Sequence, residues 1–230
     1  MITVHHLNNS RSHRVLWLLE ELGLPYEVKR YERNPKTLRA PPALREVHPL
    51  GRAPTIADGR IVLAESGAIL EYLLERSGEQ GGHPRLAPPP GTPERLRYTY
   101  WMHYAEGSAM LPIVMRLLFD QIPQQPMPAL ARPMVRALTS RVIEGFVQPQ
   151  IEAHLEHMES ELGKTPWFAG EAFSAADIQM SFPIEVVAGR GGLGSGRVKL
   201  GSYLERIRAR PAYERAIERG GPYAPSRLID

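Results

Sequence analysis

The stretch HPLGRAPTIADGRIVLAESGAIL, residues 48–70, decides how the first part of the chain folds. Asp58-Gly59 is a turn signal between two short strand-like runs, Thr55–Ala57 and Arg60–Leu63, and predicts a β-hairpin. Glu65-Ser66 then opens a helix running to about Arg76, because Ser caps helix N-termini and Glu favours the positive end of the helix dipole. Pro54, at the head of the hairpin, has two readings. A proline is tolerated at the start of an edge strand, where its missing N–H is not needed. A cis Ala53-Pro54 bond would instead turn the Ala53 backbone outward, offering its N–H and C=O to an extended peptide-like ligand.

Before this stretch, residues 2–7 read as a strand and Asn8-Asn9-Ser10-Arg11-Ser12 as a polar loop. Val15, Leu16, Leu18, Leu19 and Leu22 recur at helical spacing, and Gly23 is a stop. Pro25 cannot continue that helix, and Tyr26–Tyr31 alternates like a second strand. With a weak helix at Pro42–Val47, the order is βαβ-α-ββα, that of a thioredoxin-like domain. Gly and Pro dominate 78–93, and beyond them the periodicity is only helical. The expected fold is therefore α/β followed by all-α: a thioredoxin-like unit over 1–80, a linker over 81–93, and a helical unit over 94–230. Helices are predicted at 94–120, 130–162, 175–188 and 200–219, with the Pro-rich 122–133 separating the first two. Ser174-Ala-Ala-Asp177 is a capping box with Asp in the place of Glu.

Composition narrows the chemistry. The 230 residues carry a net charge of only +3, and the arginines are dispersed, so no nucleic-acid footprint is indicated. The chain has no cysteine, which removes disulfides, Cys-bound metal and a protein thiol nucleophile together. No metal site is expected, and any thiol must arrive with a ligand. Neither a signal peptide nor an apolar run of about 18 residues is visible, so no membrane is expected and the cytoplasm is the default.

Three groups of residues can carry chemistry. Glu65 and Ser66 are either a plain helix start or a site for an α-amino-acid head group, the carboxylate meeting Ser66 and the ammonium Glu65. Ser10, four residues before Arg14, is either a cap or a hydroxyl donating to a ligand thiolate. Asn8, Asn9 and Ser12 serve equally well as caps. Tyr104, Met110 and Leu111 belong to an apolar series that reads as core, dimer contact or second-substrate pocket. Glu106, on the same helix, is open between a ligand amine across a dimer and solvent.

Taken in order, NSRSHRVLWLLEELG (9–23), HPLGRAP (48–54), AESGAILEYL (64–73) and FSAADI (173–178) resemble the cytosolic glutathione transferase family. The stretch RAPPAL (39–44) with HPLGR looks closest to a fungal and bacterial branch related to the yeast glutathione transferase I group. The resemblance implies glutathione as co-substrate, a homodimer, and attack of the glutathione thiolate on a small hydrophobic electrophile. It places Ser10 as the catalytic serine, with Asn9 and Ser12 as alternates. Ala53 would pair with the cysteinyl unit beside a cis Pro54, Glu65 and Ser66 would hold the γ-glutamyl head, and Arg39 and Arg52 would meet the glycine carboxylate. Tyrosine-type classes carry Tyr near position 5 or 6, where this chain has His5 and His6. The competing functions are a glutathione-dependent disulfide reductase or peroxidase, and a non-catalytic glutathione-binding or regulatory protein.

Overall fold

The computed structural model describes the chain except residues 35, 36, 38, 81–84 and 226–230. The first four residues of the predicted linker thus lie outside the described residues. Strand β1 (Ile2–Leu7) pairs in parallel with β2 (Tyr26–Tyr31) and antiparallel with β3 (Thr55–Asp58). Strand β4 (Ile61–Ala64) completes a sheet ordered β2-β1-β3-β4. The first pair is parallel because helix α1 (Ser12–Leu22) carries the chain back to the starting edge of β1. Helix α1 ends at Gly23, whose left-handed φ of 66° lets its N–H cap the Leu19 carbonyl. The hairpin forms as expected, one residue later: Asp58 ends β3, and Gly59, at φ 60°, makes the turn with Arg60.

A short helix α2 (Ala43–Val47) precedes the hairpin, and α3 (Ser66–Gln80) follows it. Helix α1 lies between the sheet, α3, and two helices of the C-terminal part, α8 (Ala175–Gly189) and α10 (Pro211–Gly220). Leu16, Trp17, Leu18 and Leu19 are accordingly buried together. Complete burial of each leucine stabilises the fold by about 1.5–3 kcal/mol.

The remaining helices are α4 (Pro93–Tyr104), α5 (Met110–Gln121), α6 (Arg132–Val142), α7 (Gln148–Lys164) and α9 (Val198–Arg208). The predicted helix 94–120 contains a π-helical turn at Ala105–Ala109, and 130–162 contains one at Ile143–Val147. Both have the same cause. Pro112 and Pro149 lack the N–H that would bond back to residues 108 and 145, so the ladder shifts register there. The predicted helix 200–219 is likewise two helices, because Pro211 holds Arg210 extended at ψ 127°.

Helix α8 is buried along almost its whole length and forms the centre of the helical part. Its capping box is present: Asp177 accepts from the Ser174 N–H at 2.9 Å and also from the Phe168 N–H at 2.9 Å. Burial raises the Asp177 carboxyl to about 6 despite these donors. Helix α10 returns to the sheet and is clasped there by Arg210 on Glu21, Arg215 on Glu20, and Arg219 on the Tyr26 carbonyl. Among the described residues no helix is long and apolar enough to cross a membrane.

Candidate functional site

Strand register brings the candidate segments to one end of the sheet. His5 pairs with Thr55, and Thr55 pairs with Ala64. The loop after β1, the Ala53-Pro54 step before β3, and Glu65-Ser66 after β4 therefore neighbour one another. The Ala53-Pro54 peptide is cis, which is the second of the two readings of that proline.

At the start of α3, Glu65 adopts φ 70°, the left-handed region that costs a non-glycine residue about 1–3 kcal/mol. Its carboxylate is exposed and has no partner among the described residues, while the next side chain, Ser66, is buried. Ser66 Oγ accepts from Arg14 Nη2 at 2.9 Å. Arg14 is itself completely buried, and it donates to Glu106 Oε1 at 2.5 Å and to the Gln179 carbonyl at 2.7 Å. Arg11 grips the same Glu106 through Nε at 3.0 and 2.9 Å. Burial works against the Glu106 charge, yet the two arginines hold its carboxyl below the usual range. Both guanidiniums lie over the Phe182 ring, at 5.0 and 5.2 Å. Glu106, partly exposed, thus ties the α4–α5 segment to the start of α1 through both arginines.

The loop before α1 is equally ordered. Ser10 is 3 % exposed, and its Oγ lies 2.7 Å from Ser12 Oγ and accepts the Ser12 N–H at 3.2 Å. Ser12 Oγ lies 2.9 Å from His6 Nδ1. Asn9 has φ 48° and its Oδ1 accepts the Ala224 N–H at 2.8 Å. The two histidines near the end of β1 both point into the protein: His5 Nδ1 meets Tyr31 Oη at 2.9 Å, and His6 meets Ser12.

Arg39 and Arg52 are both exposed, with no ion pair among the described residues. The Arg52 carbonyl accepts from Thr55 Oγ1 at 2.8 Å, fixing the backbone just before the cis bond. The three apolar candidates differ in their surroundings. Tyr104 Oη meets His154 Nδ1 of α7 at 2.5 Å, Met110 is buried in the core, and Leu111 is exposed. None of them lines the cavity of about 470 Å³ that opens between α5, α7 and α8, where Ile113, Arg116, Asp120, Gln148 and Arg190 converge.

Sequence reasoning missed Arg14, His6, Tyr223 and Ala224 as parts of this region. Arg14 carried a signal, being an arginine inside an apolar helix run, and such a residue is almost always paired when buried. The contacts of Tyr223 and Ala224 come from the far end of the chain and leave no local pattern.

The cis Ala53-Pro54 step, a helix start with an exposed carboxylate beside a buried serine, and a polar loop at the first helix lie together at one end of a thioredoxin-like unit joined to a helix bundle. Residues 10–76 match the glutathione S-transferase N-terminal domain family. The chain is 37% identical over 185 residues to glutathione S-transferase 3 of Schizosaccharomyces pombe, covering 80% of this chain and 73% of that protein. It is 30% identical over 193 residues to glutathione S-transferase 1 of Saccharomyces cerevisiae, covering 81% and 80%. A crystal structure of a glutathione S-transferase from Actinobacillus pleuropneumoniae superposes with a TM-score of 0.80 at 33% identity, covering 99% of this chain and 96% of that one. The chain belongs to the glutathione S-transferase family.

Proposed function

We propose that the protein binds glutathione at this end of the sheet and activates its thiol for attack on an apolar electrophile. Residues 1–80 form the glutathione-binding unit, 81–93 the linker and 94–230 the unit that receives the second substrate. The observation that carries the reading is the Glu65-Ser66 pair, a carboxylate free to meet an ammonium beside a hydroxyl and helix N-terminus suited to a carboxylate. The γ-glutamyl head carries those two charges on one carbon. The Ala53 backbone pairs with the cysteinyl unit, and Arg39 and Arg52 supply positive charge for the glycine carboxylate. The thiol then lies at the start of α1, where the helix N-terminus and a loop donor lower its pKa from the ordinary value of about 8.5. The thiolate sulfur bonds to the electrophilic carbon, the leaving group departs with its electron pair, and the thiol proton passes to solvent.

The pairing of two copies rests on a different surface. Leu111, Val114 and Leu118 of α5, with Met134 and Leu138 of α6, are large apolar side chains left in solvent. Such a face needs a partner, and a second copy of the chain supplies it. Sedimentation at micromolar concentration is expected to give twice the 25.8 kDa chain mass, and a monomer overturns the pairing. Turnover of a chloronitroarene with glutathione tests the transfer itself. Reduction of a small disulfide without conjugation of the arene would instead favour a glutathione-dependent reductase.

A further inference from the structure

Hydrogen counting in the loop before α1 separates the candidate thiolate donors. Burial and the nearby Arg30 charge hold the His6 imidazole at about 4, so it is neutral at pH 7 and carries one ring hydrogen. The ring bonds to the Gly220 backbone, and its Nε2 lies 3.3 Å from the Cβ position of that glycine. The ring hydrogen belongs on that side, which leaves Nδ1 an acceptor. The Ser12 hydroxyl has three acceptors in reach, Ser10 Oγ at 2.7 Å, His6 Nδ1 at 2.9 Å and the Leu7 carbonyl at 3.2 Å, and among the described residues His6 Nδ1 has no other donor. With the Ser12 hydrogen on that buried acceptor, Ser12 Oγ is left to receive the Ser10 hydroxyl at 2.7 Å beside the Leu7 N–H at 3.2 Å. Ser10 Oγ also accepts the Ser12 N–H. The hydrogen on Ser10 is therefore committed inside the protein.

The other loop side chains differ. Arg11 is drawn to Glu106. Asn8 turns its Oδ1 to the Arg33 N–H at 3.0 Å, beyond β2, on the edge of the sheet away from Ala53. Asn9 presents its Oδ1 to the Ala224 N–H, and only an oxygen can accept that bond, so the amide orientation is fixed. Its Nδ2 has no hydrogen-bond partner among the described residues. The C-terminal segment that sets this orientation is itself anchored: Tyr223 stacks on His13 at 4.1 Å and its Oη donates to Glu185 at 3.0 Å.

We infer that the Asn9 amide, oriented by the Ala224 N–H, donates the hydrogen bond that stabilises the bound thiolate, and that Ser10 is a positioning residue. This rests on the glutathione reading above. It also gives the C-terminal segment a task, since loss of the Ala224 contact frees the amide to rotate.

The test measures glutathione affinity by calorimetry and the bound thiol pKa from thiolate absorbance against pH, on the full chain. Asn9→Asp keeps an oxygen for Ala224 and tolerates the left-handed backbone, but lacks the donor. It is expected to raise the bound thiol pKa by about one unit or more and to lower turnover at neutral pH roughly 10²-fold, with affinity changed only a few-fold. Asn9→Gly, which also suits the backbone, is expected to act in the same direction. Ser10→Ala is expected to leave the bound thiol pKa in place while lowering the melting temperature. The assignment is overturned if Asn9→Asp binds glutathione with the wild-type thiol pKa, or if Ser10→Ala moves that pKa further than Asn9→Asp does. A wild-type chain that binds no glutathione overturns the underlying reading and the assignment together.

Discussion

Helices α1 and α3 both begin at the same end of the sheet, and they are built in opposite ways. The start of α1 is closed: Ser10, Ser12 and His6 bond to one another, and Arg11 is held by Glu106. The start of α3 is open: Glu65 stands in solvent without a partner among the described residues, and only Ser66 is anchored, through Arg14. An open end with a free charge can take a charged head group, whereas a closed end can only present whatever its internal bonding leaves over. Recognition is accordingly expected to depend on α3, and activation on the loop before α1. The two ends are joined by one buried side chain, Arg14.

Arg14→Met gives the largest expected effect, because it severs that joint. Removing one partner of a buried ion pair costs about 3–5 kcal/mol, and here the lower end applies, since Glu106 is partly exposed and keeps Arg11. Chemical denaturation checks the stability, and glutathione affinity should fall with it because Ser66 loses its anchor. A stable variant with normal affinity would mean that the two helix starts work independently.

Glu65→Ala and Ser66→Ala are next, and they act on the open end alone. Loss of a charge-assisted hydrogen bond to the ligand costs about 1.5–3 kcal/mol, about 10–150-fold in affinity. Glu65 is exposed, so the Glu65→Ala melting temperature should stay close to wild type. Unchanged affinity in both variants would remove α3 as the head-group site.

The closed end responds to pH. His13, in the first turn of α1, is packed between Tyr213 and Tyr223, and neither ring nitrogen has a hydrogen-bond partner among the described residues. Burial, then the nearby His6 and Arg14, hold its imidazole down at about 3. The unfolded chain takes up this proton below pH about 6.5 and the folded chain does not, so the contribution of His13 is full above 6.5 and is lost as pH falls towards 3. His13→Phe should therefore flatten the pH dependence of stability in that window by about 1.4 kcal/mol per pH unit. Parallel stability curves for the two proteins would contradict the burial of a neutral histidine.

Ser10→Ala has the smallest expected effect, about 1 kcal/mol of stability from the lost bond to the Ser12 N–H. A thermal melt checks it.

Much of the sheet-bearing part is legible in the sequence because its signals are local. Leucines spaced through 15–22, Gly23, Asp58-Gly59 and Glu65-Ser66 each specify an element within a few residues. Ser174 with Asp177 marks the start of α8 in the same way. The joints between elements are not legible. Arg14 meets Glu106 across 92 residues, and Asn9 meets Ala224 across 215. Along the helical run 104–111, Tyr104, Met110 and Leu111 look alike in sequence. Neighbours on a helix point about 100° apart, so α5 buries Met110 and exposes Leu111.

The open end thus holds glutathione in this proposal, while the closed end sets the charge of its thiol. The decisive measurement is a pH titration of thiolate absorbance in the glutathione complex of the unmodified protein. The expected bound thiol pKa is clearly below the ordinary value of about 8.5, kept in Ser10→Ala and raised in Asn9→Asp. A bound thiol that titrates at or above that ordinary value in the unmodified protein would contradict it.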